Sequence, residues 1–141
     1  MKLIRVCIIL LVMGSCKTMP FQPESYTQNY LVIGDGGGYT GLETSHFFTV
    51  GGDVFKHYGR DTTYQKILKI KQQIVKQAIG SIEQLDLMDY EFQNPGNVYK
   101  FLSMNINGRS NKVVWGSSEE KVNPAIANIY RLLNESLQND K

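Results

Sequence analysis

The spacing of the apolar residues limits the folding options of this chain more than any other feature. From Tyr30 to Tyr58 the chain runs in short stretches rich in Val, Ile, Thr, Phe and Tyr. Tyr30 to Ile33 is one, Leu42 to Val50 the next, and Asp53 to Tyr58 the third. Gly34-Asp35-Gly36-Gly37-Gly38 and Gly51-Gly52 separate them. Stretches of this composition between glycine turns read as strands, and the last two as a hairpin. From Thr62 to Leu85 the period lengthens to that of a helix. At about 100° per residue, Ile70, Ile74, Val75, Ala78, Ile79, Ile82 and Leu85 share one half of the wheel with Ile67. Lys66, Lys69, Gln72, Gln73, Lys76 and Gln77 take the other half, and only Lys71 breaks the apolar side. Thr62 and Gln65 have capping-box spacing, which favours a helix start there. Tyr64 to Ile70 also reads as a strand, so the first turns stay open between the two.

Gln93-Asn94-Pro95-Gly96-Asn97 is a turn signal. Val98 to Ile106 then alternates. Asn107-Gly108 suits a type I′ turn, with a longer loop through Ser110 as the alternative. In either register Leu102, Met104 and Ile106 share a face with Val113 and Trp115. Asn123-Pro124 has the chemistry of a helix start, Asn as N-cap and Pro at the first helical position. Ile126, Ile129, Tyr130, Leu133 and Leu137 form the stripe of that helix. The expected fold is α+β in β-ββ-α-ββ-α order, a mostly antiparallel sheet of about five strands with two helices packed on one face.

The first residues belong to a different kind of segment. Lys2 and Arg5 precede an apolar run of eight residues, Val6 to Met13. A spanning helix needs about 20 such residues, so the run cannot cross a bilayer alone. It suits the h-region of a signal peptide, residues 1–15. Met13-Gly14-Ser15-Cys16 resembles a bacterial lipobox, with Met in place of the usual Leu. The resemblance implies cleavage before Cys16 and a diacylglycerol thioether on its sulfur. Residues 16–29 are then the lipidated cysteine and a tether, and 30–141 a single domain. The absence of Asp at position 17 and of an acidic cluster after Cys16 favours a cell-envelope location, anchored in the outer membrane and facing the periplasm.

Cleavage would also change the charge. The whole chain has 15 basic and 13 acidic residues, a formal +2. Loss of Lys2 and Arg5 leaves 13 of each. A balanced chain has no global field for nucleic acid, so no nucleic-acid partner is expected. Cys7 leaves with the leader and Cys16 carries lipid, so the mature domain has no thiol, disulfide or cysteine metal site.

The candidate chemistry is sparse. Gly36-x-Gly38-x-x-Gly41 matches a dinucleotide fingerprint in letters, but it leads into a strand composition where a helix is needed. No cofactor is expected. His46 and His57 flank the first hairpin with Asp53 between them, too few ligands for a metal site. There is no G-x-S-x-G elbow, and Glu119-Glu120 and Asp89 with Glu91 read as solvated charge. No catalytic residues are assigned. Phe47 and Phe48 are adjacent and point to opposite faces of a strand, which leaves one of them as a candidate contact aromatic.

Gly36-Gly37-Gly38-Tyr39-Thr40-Gly41, Asn94-Pro95-Gly96-Asn97 and Trp115-Gly116 together look like a group of small bacterial envelope lipoproteins, over roughly residues 30–137. That group implies no activity. More distantly, Gly37-Gly38-Tyr39-Thr40-Gly41 before a strand, then helix, two strands and helix, resembles emfourin-type inhibitors of thermolysin-like metalloproteases. The lipid anchor and the Asn94–Asn97 turn depart from that pattern. The resemblance implies an inhibitory surface on the glycine segment.

The expected function is therefore a lipid-anchored, non-catalytic binding domain for another envelope protein, with protease inhibition as its sharpest form. Asp35, Gly37, Gly38, Tyr39, Thr40, Gly41, Phe47, Phe48, Asn94 and Asn97 are the expected contact residues. Glycine loops can enter a cleft with exposed backbone, and aromatics add buried area. The alternative is a small envelope enzyme or ligand-binding domain using the same loop.

Overall fold

The computed structural model describes residues 20–138. The leader, Cys16 and the chain up to residue 19 lie outside the described residues. The strands are β1 (Tyr30–Gly37), β2 (Glu43–Thr49), β3 (Asp53–Tyr58), β4 (Gln65–Lys69), β5 (Gln93–Asn94), β6 (Val98–Ile106) and β7 (Arg109–Trp115). The helices are α1 (Gln72–Gln84), between β4 and β5, and α2 (Pro124–Ser136), after β7. The sheet has seven strands in the order β4-β3-β2-β1-β6-β7-β5. All neighbours are antiparallel except β5 and β7, which makes the sheet mixed.

Turn chemistry explains the hairpins. Asn107 and Gly108 both have positive φ, 53° and 77°, as a type I′ turn demands. The resulting register sets Leu102 opposite Val113 and Ile106 opposite Arg109. Asn123 caps α2, its side chain accepting from the Ala125 amide at 2.8 Å, with Pro124 following at the first helical position.

Strand alternation then sorts the side chains onto two faces. Leu31, Ile33, Phe48, Val54, Leu102, Met104, Ile106 and Val113 meet α1 and α2 in one core. Val75, Ala78, Ile79 and Ile82 come from α1; Ile126, Ile129, Tyr130 and Leu133 come from α2. Both helices thus cover the same face.

The α+β class holds, with seven strands among the described residues where about five were expected; of the two readings of Tyr64–Ile70 the strand holds, and the helix begins at Gln72, not at Thr62. Gln65–Lys69 pairs with β3, and Lys66 reaches Asp53 at 2.8 Å. Leu68 packs against the core and Ile70 is buried, while Ile67 is exposed. The segment is thus extended up to Ile70, with a bulge that leaves Ile67 unpaired between Lys66 and Leu68. A helix there would leave the β3 edge unpaired. The Thr62–Gln65 spacing is not used as a cap, and Lys71 at the N-cap makes no side-chain cap bond. β5 is two residues long, too short to register as periodicity. Its Gln93 side chain donates to the Lys112 carbonyl.

The packed chain also starts earlier than Tyr30. Phe21, read as part of a tether, stacks on Phe55 at 3.8 Å between centroids and meets Phe47 at 5.0 Å. Tyr26 and Tyr30 add edge-on and stacked contacts with Phe47. The segment therefore forms an aromatic layer on the face of the sheet opposite the helices.

Candidate functional site

Two glycines in β1 decide how the glycine-rich segment is used. A Cβ on Gly34 would collide with the Phe101 ring and the Thr44 carbonyl. A Cβ on Gly36 would stand 2.8 Å from the Tyr99 ring. Gly34 is opposite Phe101 and Gly36 opposite Tyr99 in the β1–β6 register, so aromatic rings of β6 fill the places of the missing side chains. These glycines are packing positions.

The turn itself begins beyond them. Gly37, Gly38 and Gly41 have positive φ, and the Gly38 amide donates to the Asn97 carbonyl at 2.6 Å. The Gly41 amide closes back on the Gly38 carbonyl, and the Leu42 amide donates to the Thr40 hydroxyl. Gly96 and Gly116 let the Asn94–Asn97 segment lie against the end of β7: a Cβ on Gly96 would stand 2.7 Å from the Gly116 carbonyl oxygen. Asn94 also donates to Glu120 at 3.3 Å. The turn and the Asn94–Asn97 loop, 56 residues apart from Gly38 to Asn94 in sequence, thus meet. At the tip Tyr39 is fully exposed, at 108% of its reference area.

Asp35 does not join the tip. It lies one row back on the helix face, with Thr44 and Lys100 as its register partners. Phe47 and Phe48 are 1% and 0% exposed, so neither is the contact aromatic expected. Phe48 is in the helix-side core and Phe47 lies under Phe21, because both faces of the sheet are covered at that point.

Residues missed in the sequence complete the end of the sheet. Tyr58, paired with Thr44, and Val98, paired with Gly37, are both largely exposed. Thr40, Leu42, Tyr58, Gly59, Arg60 and Asp61 line a hollow of about 380 Å³ beside the turn. Their signal was β register, which becomes visible only once the partners of β1 are known.

The two histidines near this end lie on opposite faces of the sheet. His46 is on the helix face opposite Lys56, and its pKa is lowered, first by burial and then by Lys56, with Asp35 opposing. His57 is on the other face, stacked on Tyr64 and within 2.6 Å of the Asp61 carbonyl. The two imidazoles point apart, so they cannot share a ligand. Among the described residues no group of three or more His, Cys, Asp or Glu side chains could hold a metal ion. Burial pushes the Tyr130 phenol up to about 12, with Asp35 adding to the rise. Tyr130 packs edge-on against Trp115 under α2.

The fold and this end of it define an α+β domain, two helices on one face of a mixed seven-stranded sheet, that presents a braced glycine turn. No family model matches the chain, and no curated protein sequence matches it. Among the described residues no helix is long and apolar enough to cross a membrane.

Proposed function

We propose that this chain is a lipid-anchored, non-catalytic binding domain of the cell envelope whose glycine turn engages another envelope protein, in its sharpest form a protease. The observation that carries the reading is the complete exposure of Tyr39 on a turn held by the Gly38–Asn97 hydrogen bond. A rigid loop with a bare aromatic loses little conformational freedom on docking, and tyrosine is favoured at binding hot spots. The lipid on Cys16 keeps the domain at the membrane, and the outer membrane facing the periplasm is the proposed address.

The test is titration of the chain against thermolysin-like proteases, with Tyr39→Ala as the paired variant. Slowing at micromolar chain that the variant abolishes supports the inhibitor form; no slowing removes it. Capture of envelope proteins by the chain, lost with Tyr39→Ala, supports the wider binding reading. For the anchor, Cys16→Ala abolishes lipid labelling and leaves an uncleaved precursor; normal processing of that variant removes the anchor.

A ligand-binding or enzymatic alternative draws on the hollow between Thr40 and Arg60. It predicts loss of ligand or turnover when Arg60 or Asp61, which line the hollow, becomes Ala. The binding reading predicts that the partner is retained.

A further inference from the structure

Charge is divided across the width of the sheet. Lys66 and Lys69 lie on the edge strand β4, Lys71 and Lys76 follow at the start of α1, and Lys56 on β3 and Arg60 in the loop before β4 join them, all exposed. Their acidic neighbours are Asp53, paired with Lys66, Asp61, and Glu24, which lies near Tyr64. The opposite side carries Glu83 at the end of α1, then Asp86, Asp89 and Glu91, and Glu119 and Glu120 after β7, six acidic groups against Lys112, Lys121 and Arg109, the last of which pairs with Asp89. α1 joins the two sides: it starts beside β4, and Glu83 near its end accepts from the Asn107 side chain. Its first turn has no acidic residue and its last turn no basic one, so neither end carries the charge that the helix dipole favours.

Lysines on an edge strand protect it from pairing with other chains, which accounts for Lys66 and Lys69. It does not account for Lys71, at the N-cap of α1, or Lys76, within that helix. Ile67, between the edge lysines, is 43% exposed.

The chain also leaves the domain at this edge. Phe21 bridges Tyr64, the residue before β4. Cys16 is five residues upstream of Phe21, about 17 Å at full extension. The far edge of the sheet stands about 29 Å away across six strand spacings.

We propose that the β4 edge rests on an anionic phospholipid surface, with Lys66, Lys69, Lys71, Lys76 and Arg60 facing the headgroups and Ile67 entering between them. This rests on the reading that Cys16 is acylated, which holds the edge against the bilayer. Exposed charge is screened within about 8 Å at physiological salt, so only the near edge feels the headgroups and the acidic edge stays out of their field.

The test labels the lysines of the full chain, purified with its native amino terminus and mixed into vesicles, with an amine-reactive acetyl ester. Vesicles of phosphatidylcholine alone are compared with vesicles containing phosphatidylglycerol. Lys69, Lys71 and Lys76 should label at least about threefold more slowly on the anionic vesicles, with protection lost in high salt. Lys100 and Lys121 should label equally on both. Equal labelling of all five, or protection of Lys100 and Lys121 in place of the edge lysines, overturns the proposal. The mass of the Cys16 peptide in the same digest reads the anchor separately. Unmodified Cys16 with edge protection sinks the anchor alone, and acylated Cys16 with equal labelling sinks the basic edge alone.

Discussion

The ring of Phe101 on β6 occupies the space that a side chain on Gly34 of β1 would need. The glycine and the aromatic are one packing unit, 67 residues apart in the chain. Gly34→Ala should therefore destabilise the domain by about 1–3 kcal/mol, the usual cost of overpacking. Adding Phe101→Ala should recover only part of the loss, because the Thr44 carbonyl also stands against the new methyl. Chemical denaturation of the single and double variants checks both statements. Unchanged stability of Gly34→Ala would show that the strands separate more easily than this packing implies.

Phe21→Ala should cost about 1–2 kcal/mol, below the range for a fully buried phenylalanine because Phe21 is only half-buried. The loss comes from its contacts with Phe55 and Phe47. A tether residue would show no change in the denaturation midpoint, so the measurement separates a packed segment from a free one.

His46 makes stability depend on pH. Its folded-state pKa lies below 6.5, chiefly through burial, so the unfolded chain binds the proton more readily. The contribution is complete above pH 6.5 and fades as pH falls from there through the lower folded value. His46→Gln should flatten the decline of the melting temperature on acidification between about pH 7 and pH 5. A slope equal to that of the parent chain would assign the acid sensitivity to other groups.

Asn123→Ala removes the acceptor for the Ala125 amide. The expected loss is about 1 kcal/mol. Asn123→Asp keeps the acceptor and places a negative charge at the helix start, so it should be neutral or slightly stabilising. Thermal melts of the pair decide it.

The hairpins and α2 were legible because their determinants are local. Asn107-Gly108 can take two positive φ values at low cost, and Asn123-Pro124 supplies a cap and a preset φ within two residues. Of the glycine segment Gly34–Gly38 only the last residue opens the turn, because Gly34–Gly37 belong to β1. The alternation from Leu102 to Ile106 showed the buried face without knowledge of its neighbours. Local chemistry of this kind also led to Tyr39, Thr40 and Asn97, which the fold does bring to one end.

Whether Tyr64–Ile70 became strand or helix depended on the open edge of β3, which no local pattern encodes. The seating of Phe21 depended on Phe47 and Phe55 facing away from the helices, and so did the burial of Phe47. Gly34 and Gly36 look like turn residues until the rings of Phe101 and Tyr99 are laid across them. The physical reason is common to all of these. Backbone preference and capping act within a few residues, whereas edge pairing and ring burial are settled between segments that meet only when the sheet closes.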